Sequence, residues 1–236
     1  MTGDGDGNDR GVTLVDGLRT TGAIRDFEDR PVSHDVLVRV FDTARFAPNG
    51  GNQQAWHVVL VEDPELRRGM RDLYVRGWGQ YLAMRAAGVQ PWAPIGDRDA
   101  EAAAIAEASA GDPGGFASEF DRVPVMAVVL ADLRLLAATD RDLGRYTLVG
   151  GASIYPFVWS VLLAAHAEGL GGVMTTMNVL HEPEVKALLQ VPDQFAVATV
   201  LALGYPTKRA TKLRRDPVDS FVTIDTFAGP SLSGGT

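Results

Sequence analysis

Ala47-Pro48-Asn49-Gly50-Gly51-Asn52-Gln53-Gln54-Ala55-Trp56 lies between an amphipathic stretch and an apolar run, and it sets the reading of the whole chain. Pro48 ends the preceding helix, because it lacks a backbone donor and its ring crowds the turn before it. Gly50 and Gly51 let the backbone turn sharply and approach another molecule closely. Asn49, Asn52, Gln53 and Gln54 set donors and acceptors side by side with almost no charge. That suits a planar, uncharged heterocycle carrying both kinds of group on its edge. A plain connecting loop has the same polarity, so the stretch gains its meaning from what surrounds it.

Upstream, Ser33 to Ala47 reads as a helix. Ser33 caps it, Asp35 sits in the first turn, and Val36, Leu37, Val40, Phe41 and Ala44 share a face. Before that, Val12 to Leu18 reads as a short helix. Downstream, Trp56 to Val61 is nearly all apolar, as in a strand buried on both faces. Asp63-Pro64-Glu65 supplies a cap, a first-turn proline and a first-turn acid for a helix running from Leu66 to about Met84. Ala100 to Ala110 predicts an alanine-rich helix, and Val123 to Ala131 a strand. Thr147 to Glu168 predicts one long helix with Pro156 inside it, ended by Gly169-Leu170-Gly171. A short strand at Gly172 to Thr176, a helix from Glu182 to Gln190 and a core strand at Phe195 to Leu203 follow. Phe221 to Ile224 predicts an added edge strand.

The 236 residues are 46% apolar, enough for one large core, and no linker or repeat divides them. Without cysteine there is no disulfide, thiolate nucleophile or cysteine-bound metal. A formal charge of −8 without a long basic run disfavours nucleic acid and anionic membranes as partners. No apolar run approaches the roughly 20 residues that span a bilayer, and residues 1–11 read as a disordered Gly/Asp-rich leader without signal-peptide character. A soluble, cytoplasmic protein is expected. Asp4, Asp6 and Asn8 imitate a calcium loop, but Asp9 stands where its glycine belongs and Val15 where its closing glutamate belongs.

Residue-borne chemistry is scarce. His34, His57, His166 and His181 show no three- or four-residue spacing, so no metal site is expected. There is no G-x-S-x-G elbow and no G-x-x-x-x-G-K-S/T loop. Gly169-Leu170-Gly171-Gly172-Val173-Met174 ends in methionine where a dinucleotide fingerprint needs glycine. A bound cofactor that brings its own reactivity fits such a chain.

The stretch from Pro48 to Trp56 resembles the P-S-G-x-N-x-Q-P-W signature of the nitroreductase family of flavin enzymes. Gly150-Gly151-Ala152-Ser153-Ile154-Tyr155-Pro156 running on to Leu162-Leu163-Ala164-Ala165, Gly169 to Val173, and Ala202-Leu203-Gly204-Tyr205-Pro206 resemble it too, in the same order. The resemblance runs from about Arg19 to Val222, apart from a divergent middle. It implies an α+β, three-layer α-β-α fold: a mostly antiparallel sheet flanked by helices, in an intertwined homodimer. FMN would lie between the protomers, with NAD(P)H as reductant. Leu148, Tyr155, Trp159, Leu162 and Leu163 would pack in the dimer core.

The implied site has no catalytic side chain, since flavin N5 carries the chemistry. Arg19, Thr21 and Arg25, with Arg214 and Arg215 from the basic cluster Lys212 to Arg215, would meet the phosphate. Pro48, Asn49, Gly50 and Asn52 of the partner chain would line the ring, and Gln54 would support that loop. Thr175 and Thr176 lie where the family's backbone donates near N5 and favours the reduced state. The chain departs from the family at Gly22 and Ala23, where arginine and serine are usual, at Asn49, which replaces a serine, and at Ala55, which replaces a proline.

Residues 64–122 fall outside the signature and read as a variable helical lid, with residues 206–236 as a C-terminal extension. In the lid, Tyr74, Trp78, Tyr81, Trp92, Phe116 and Phe120 are candidates to roof a pocket for a flat substrate, although each is individually suited to core packing. The implied activity is transfer of electrons from NAD(P)H to a nitroaromatic, quinone or other conjugated acceptor by a ping-pong mechanism. A pathway-specific flavin oxidase or dehalogenase and a non-catalytic flavin-binding or storage protein are the alternatives.

Overall fold

The computed structural model describes residues 12–108, 111, 113–209 and 211–233. The expected leader, residues 1–11, and the calcium-like acids within it lie outside the described residues.

Four strands form the centre: β1 (Trp56–Leu60), β2 (Val125–Asp132), β3 (Gly171–Thr175) and β4 (Phe195–Gly204). They lie in the order β1-β2-β4-β3, and every neighbouring pair is antiparallel. All residues of β2 are buried, as expected of a central strand covered on both faces. Alternate side chains serve opposite layers. Ala127, Val129, Ala131, Leu201 and Leu203 pack with Leu37, Val40 and Ala44 of α2 (His34–Ala44) and with Phe157, Val158 and Val161 of α6 (Tyr155–Ala167). Met126, Val128, Leu130, Val200 and Ala202 pack with Met70, Leu73 and Tyr74 of α3 (Pro64–Ala86) and with Val185 of α7 (Glu182–Leu189). The fold is therefore the expected α+β arrangement of three layers. Trp56 stacks on Phe157 with ring centroids 4.6 Å apart, which ties β1 to α6 and is worth about 1 kcal/mol beyond its buried area.

Local signals place the helix starts. Ser33 Oγ accepts the Val36 N–H, and Asp63 Oδ1 accepts those of Glu65 and Leu66 ahead of Pro64. The short N-terminal helix α1 spans Leu14–Thr20, two residues later than its apolar pattern suggests, because Thr13 is the residue that caps it. Helix α4 spans Arg98–Ala106 and starts earlier than predicted, at an Asp97 cap. A single turn, α5, covers Gly115–Ser118.

Three expectations are corrected. β1, expected to be buried on both faces, is an edge strand paired only with β2, partly exposed along its length and exposed at His57. Residues 147–168 are not one helix: a 3-10 turn at Val149–Ser153 precedes α6, and Pro156 lies in the first turn of α6 rather than inside it. Gly150 and Gly151 weaken helical continuity, and a first-turn proline loses no hydrogen bond. The edge strand at Phe221 to Ile224 is absent: a 3-10 turn at Val218–Ser220 is followed by one isolated bridge, Thr223 to Ser231. On α6, Leu162 turns into this chain's own core, whereas Tyr155, and Leu148 before it, remain exposed. No described helix is long and apolar enough to cross a membrane.

Candidate flavin site

The amide-rich stretch is a built loop. Asn49 Nδ2 donates to the Ala47 carbonyl at 3.2 Å, and its Oδ1 accepts the Gln54 N–H at 2.8 Å. Both ends of the Asn49 amide thus serve the loop, which explains how asparagine takes the place of a serine. Gly50 donates its N–H to Ser153 Oγ at 3.0 Å. A Cβ at Gly50 would lie 3.1 Å from that oxygen, a tight contact that a side chain there could meet only if Ser153 gave way slightly. Asn52 and Gln54 adopt left-handed backbone angles, φ 52° and 49°. Non-glycine residues rarely do so, and such conformations concentrate at functional sites. Both are exposed, and among the described residues neither side-chain amide has a partner.

Asp140 stands behind Ser153. It is buried, and it accepts the N–H groups of Leu148 and Val149 and a bond from Arg145. The Leu148 N–H, with help from the Arg145 guanidinium, holds its carboxyl below the usual carboxylate range. This anion fixes the start of the Val149–Ser153 turn, and so the hydroxyl that Gly50 meets.

Thr175 ends β3 at the other edge of the sheet. Its hydroxyl lies 3.5 Å from the Tyr74 hydroxyl, and its carbonyl accepts from Thr199 Oγ1 at 2.8 Å. Burial pushes the Tyr74 phenol up, while Thr175 and the nearby Arg25 oppose that shift. The start of β1 and the end of β3 point in the same direction along the sheet, but Trp56 is level with Ala196 of β4 and Thr175 with Val200. Three strand spacings, about 14 Å, separate them across the sheet, and the offset along the strands adds to that.

Segments that carry several of the basic residues adjoin one another. Ala23 bridges Gly172 and Ile24 donates its N–H to the Gly172 carbonyl, so these two residues lie beside β3. Phe27 bridges to Pro206, and Thr207 bonds Asp26, so the tail starts alongside that segment. Further on, Leu213 packs over Gly22, where a Cβ would meet its side chain at 3.0 Å. The arginines elsewhere are mostly paired with carboxylates, as Arg39 is with Glu168 and Arg76 with Glu184. Arg19, Arg25, Lys208, Lys212 and Arg214 have no carboxylate partner among the described residues, and Arg215 bonds only the Arg214 carbonyl. Unneutralised cations gathered on adjoining segments suit an anion such as a phosphate ester. Thr21 is less free: its hydroxyl lies 2.7 Å from His166 Nδ1. Burial and Arg209 keep His166 below the ordinary imidazole value.

The six lid aromatics form a contiguous series. Trp78 stacks between Tyr74 and Tyr81, Tyr81 faces Trp92, and Phe116 and Phe120 close on Tyr74. Tyr74 and Phe120 are wholly buried in the core under α3, and the other four keep some exposure. Of the six, only Phe116 lines a cavity of about 750 Å³, whose wall also carries Arg25, Arg30, Asp121 and Arg122. An apolar groove of about 700 Å³ runs between α2 and β1, past Leu37, Phe41, Trp56, Val58 and Phe157.

Ser153, Asp140 and Thr199 were not singled out from the sequence, although Ser153 lies inside one of the quoted segments, and His166 was named only as one of four histidines without metal-ligand spacing. Thr199 leaves one trace, a lone hydroxyl in an otherwise apolar run.

The chain is similar to known proteins along most of its length. It is 28% identical over 201 residues to a NADH dehydrogenase of Thermus thermophilus, covering 85% of this chain and 90% of that one. It is 24% identical over 201 residues to a putative NADH dehydrogenase/NAD(P)H nitroreductase of Archaeoglobus fulgidus, covering 80% and 83%. Its fold matches the crystal structure of oxidised iodotyrosine deiodinase bound to FMN and 3-iodo-L-tyrosine, with TM-score 0.65, 21% identity and coverage of 91% and 100%. Residues 18–205 match the model of the nitroreductase family, and the chain belongs to that family.

Proposed function

We propose that two copies of this chain enclose FMN between them and pass electrons from NAD(P)H to a nitroaromatic, quinone or other conjugated acceptor. The observation that carries this reading is the placement of Asn52 and Thr175. Asn52, which precedes β1, carries a side-chain amide with no partner among the described residues, Thr175 ends β3, and the two strands are opposite edges of one sheet. On this reading a ring system lying against Thr175 takes its amide contacts from a partner's Asn52 rather than from its own chain's.

The residues present fit FMN. Its phosphate meets Arg19, Arg25, Arg214 and Arg215, which form no ion pair with a carboxylate among the described residues. Its polar edge meets the free amides of Asn52 and Gln54. The arginines do this without the family's arginine and serine, whose places Gly22 and Ala23 hold. When bound, the flavin supplies the hydride and electron chemistry, so the protein's part is to bind, orient and shield it. One shared face for reductant and acceptor gives ping-pong kinetics. The exposed Tyr155 and Leu148 suit burial against the second copy, and the partly exposed aromatics of residues 64–122 suit a lid over a flat acceptor. A cytoplasmic setting, where NAD(P)H is available, fits this role.

Purified protein should be yellow, bleach with NAD(P)H under nitrogen and regain colour with an acceptor. Double-reciprocal lines at several acceptor concentrations should run parallel. Intersecting lines, or protein that takes up no FMN, contradict the reading.

A further inference from the structure

Thr199 lies in β4, an apolar strand in which valine would pack equally well. It is 0% exposed. A hydroxyl withdrawn from water is costly unless bonded, so its direction has meaning. The register between β2 and β4 slips just here: Val129 pairs with Thr199 and Leu130 with Val197, which leaves Ala198 unopposed. Such bulges re-aim side chains and recur near active sites. The Thr199 hydroxyl reaches the Thr175 carbonyl at 2.8 Å, while the Val200 carbonyl is more distant at 3.4 Å. With one proton to give, it serves Thr175. That residue is the last of β3, immediately before the chain turns at Met177–His181.

A trans peptide places its C=O and N–H on opposite sides of the chain. Fixing the Thr175 carbonyl toward β4 therefore fixes the Thr176 N–H away from it. The Tyr74 hydroxyl, near Thr175 Oγ1, restrains the same residue from the α3 side. We propose that Thr199 is a positioning residue. Its buried hydroxyl locks the Thr175–Thr176 peptide plane so that the Thr176 N–H is aimed at the flavin, and this donor makes the flavin easier to reduce. The inference rests on the FMN reading above. A preorganised donor placed where negative charge grows favours the charged, reduced state.

The test compares Thr199→Val, which keeps shape and removes the hydroxyl, with Thr199→Ser, which keeps the hydroxyl. Both are loaded with FMN and equilibrated against a redox dye. Thr199→Val should lower the reduced-to-oxidised ratio at fixed poise about tenfold, or about 30 mV for a two-electron couple, and Thr199→Ser should restore most of it. A merely structural role shifts the melting temperature and leaves the potential unchanged; that result overturns the proposal. If Thr199→Val does not fold, Thr199→Cys, with its weak donor, should show the same shift, and a wild-type potential there overturns the proposal. Amide hydrogen exchange on the flavin-free protein gives an independent reading, with faster exchange at Thr176 expected in Thr199→Val. Protein that takes up no FMN refutes the functional reading, and exchange then decides this one: an unchanged rate at Thr176 overturns it.

Discussion

Ser153 Oγ accepts the backbone N–H of Gly50 at 3.0 Å, which joins the amide-rich loop to the turn ahead of α6. The bond spans about a hundred positions of sequence and makes any side chain at Gly50 a tight fit against Ser153. Ser153→Ala should cost about 1 kcal/mol of stability, read from the urea midpoint. It should also speed FMN release, read from the return of flavin fluorescence on dilution. Unchanged release would mean that the loop holds its shape without Ser153.

Asn52 and Gln54 both sit in the left-handed region, where glycine is at ease. Asn52→Gly should hold or raise stability by up to about 1 kcal/mol, and Gln54→Gly should do so more, since asparagine tolerates this region better than glutamine. Asn52→Gly should weaken FMN about tenfold through the lost amide. Stability and affinity moving in opposite directions is the signature of a residue kept for binding. Parallel losses would make Asn52 structural.

The unpaired tail arginines should recognise phosphate rather than the ring. Arg214→Gln with Arg215→Gln should weaken FMN at least tenfold per lost charge-assisted bond, at about 1.5–3 kcal/mol each. Riboflavin, which lacks the phosphate, should bind the variant and the parent alike. Titration of both flavins by fluorescence quenching checks this, and equal losses for both would remove the phosphate role.

Tyr74 carries a pH prediction. Burial raises its folded-state pKa above the ordinary phenol value of about 10. The folded chain thus holds this proton more tightly than the unfolded chain. The associated stability is fully present below about pH 10 and is lost as pH rises through the folded-state value. Tyr74→Phe should flatten the alkaline limb of a stability–pH curve and leave the neutral region nearly unchanged. An identical alkaline limb in both proteins would contradict it.

Much of this architecture was legible locally. The caps at Ser33 and Asp63, the apolar run of β2 and the glycine-rich ending at Gly169 follow from short-range rules, and the structure has each of them. The break before α6 was readable in principle, because Gly150, Gly151 and Pro156 all argue against a continuous helix, yet the surrounding apolar pattern masked them. The engagement of Thr21 with His166 and the reach of Thr199 to Thr175 were not legible. They join residues far apart in sequence, and the second depends on a one-residue slip in strand register that no composition rule announces. Asn49 lies between these cases: its place in the loop was evident, but its use of both amide ends within the loop was not.

The account stands on one site built from two chains. Complementation tests that directly: a chain with Asn52→Ala and Gln54→Ala is co-expressed with a chain carrying Arg214→Gln and Arg215→Gln, and FMN bound per chain is measured. At an FMN concentration set between the parent's affinity and the weakened affinities of the variants, neither variant alone should fill its sites. Random pairing gives each mixed dimer one intact site and one doubly broken site, so about a quarter of all sites should fill. If the mixture binds no more FMN than the separate variants, each chain builds its site alone and the central claim is wrong.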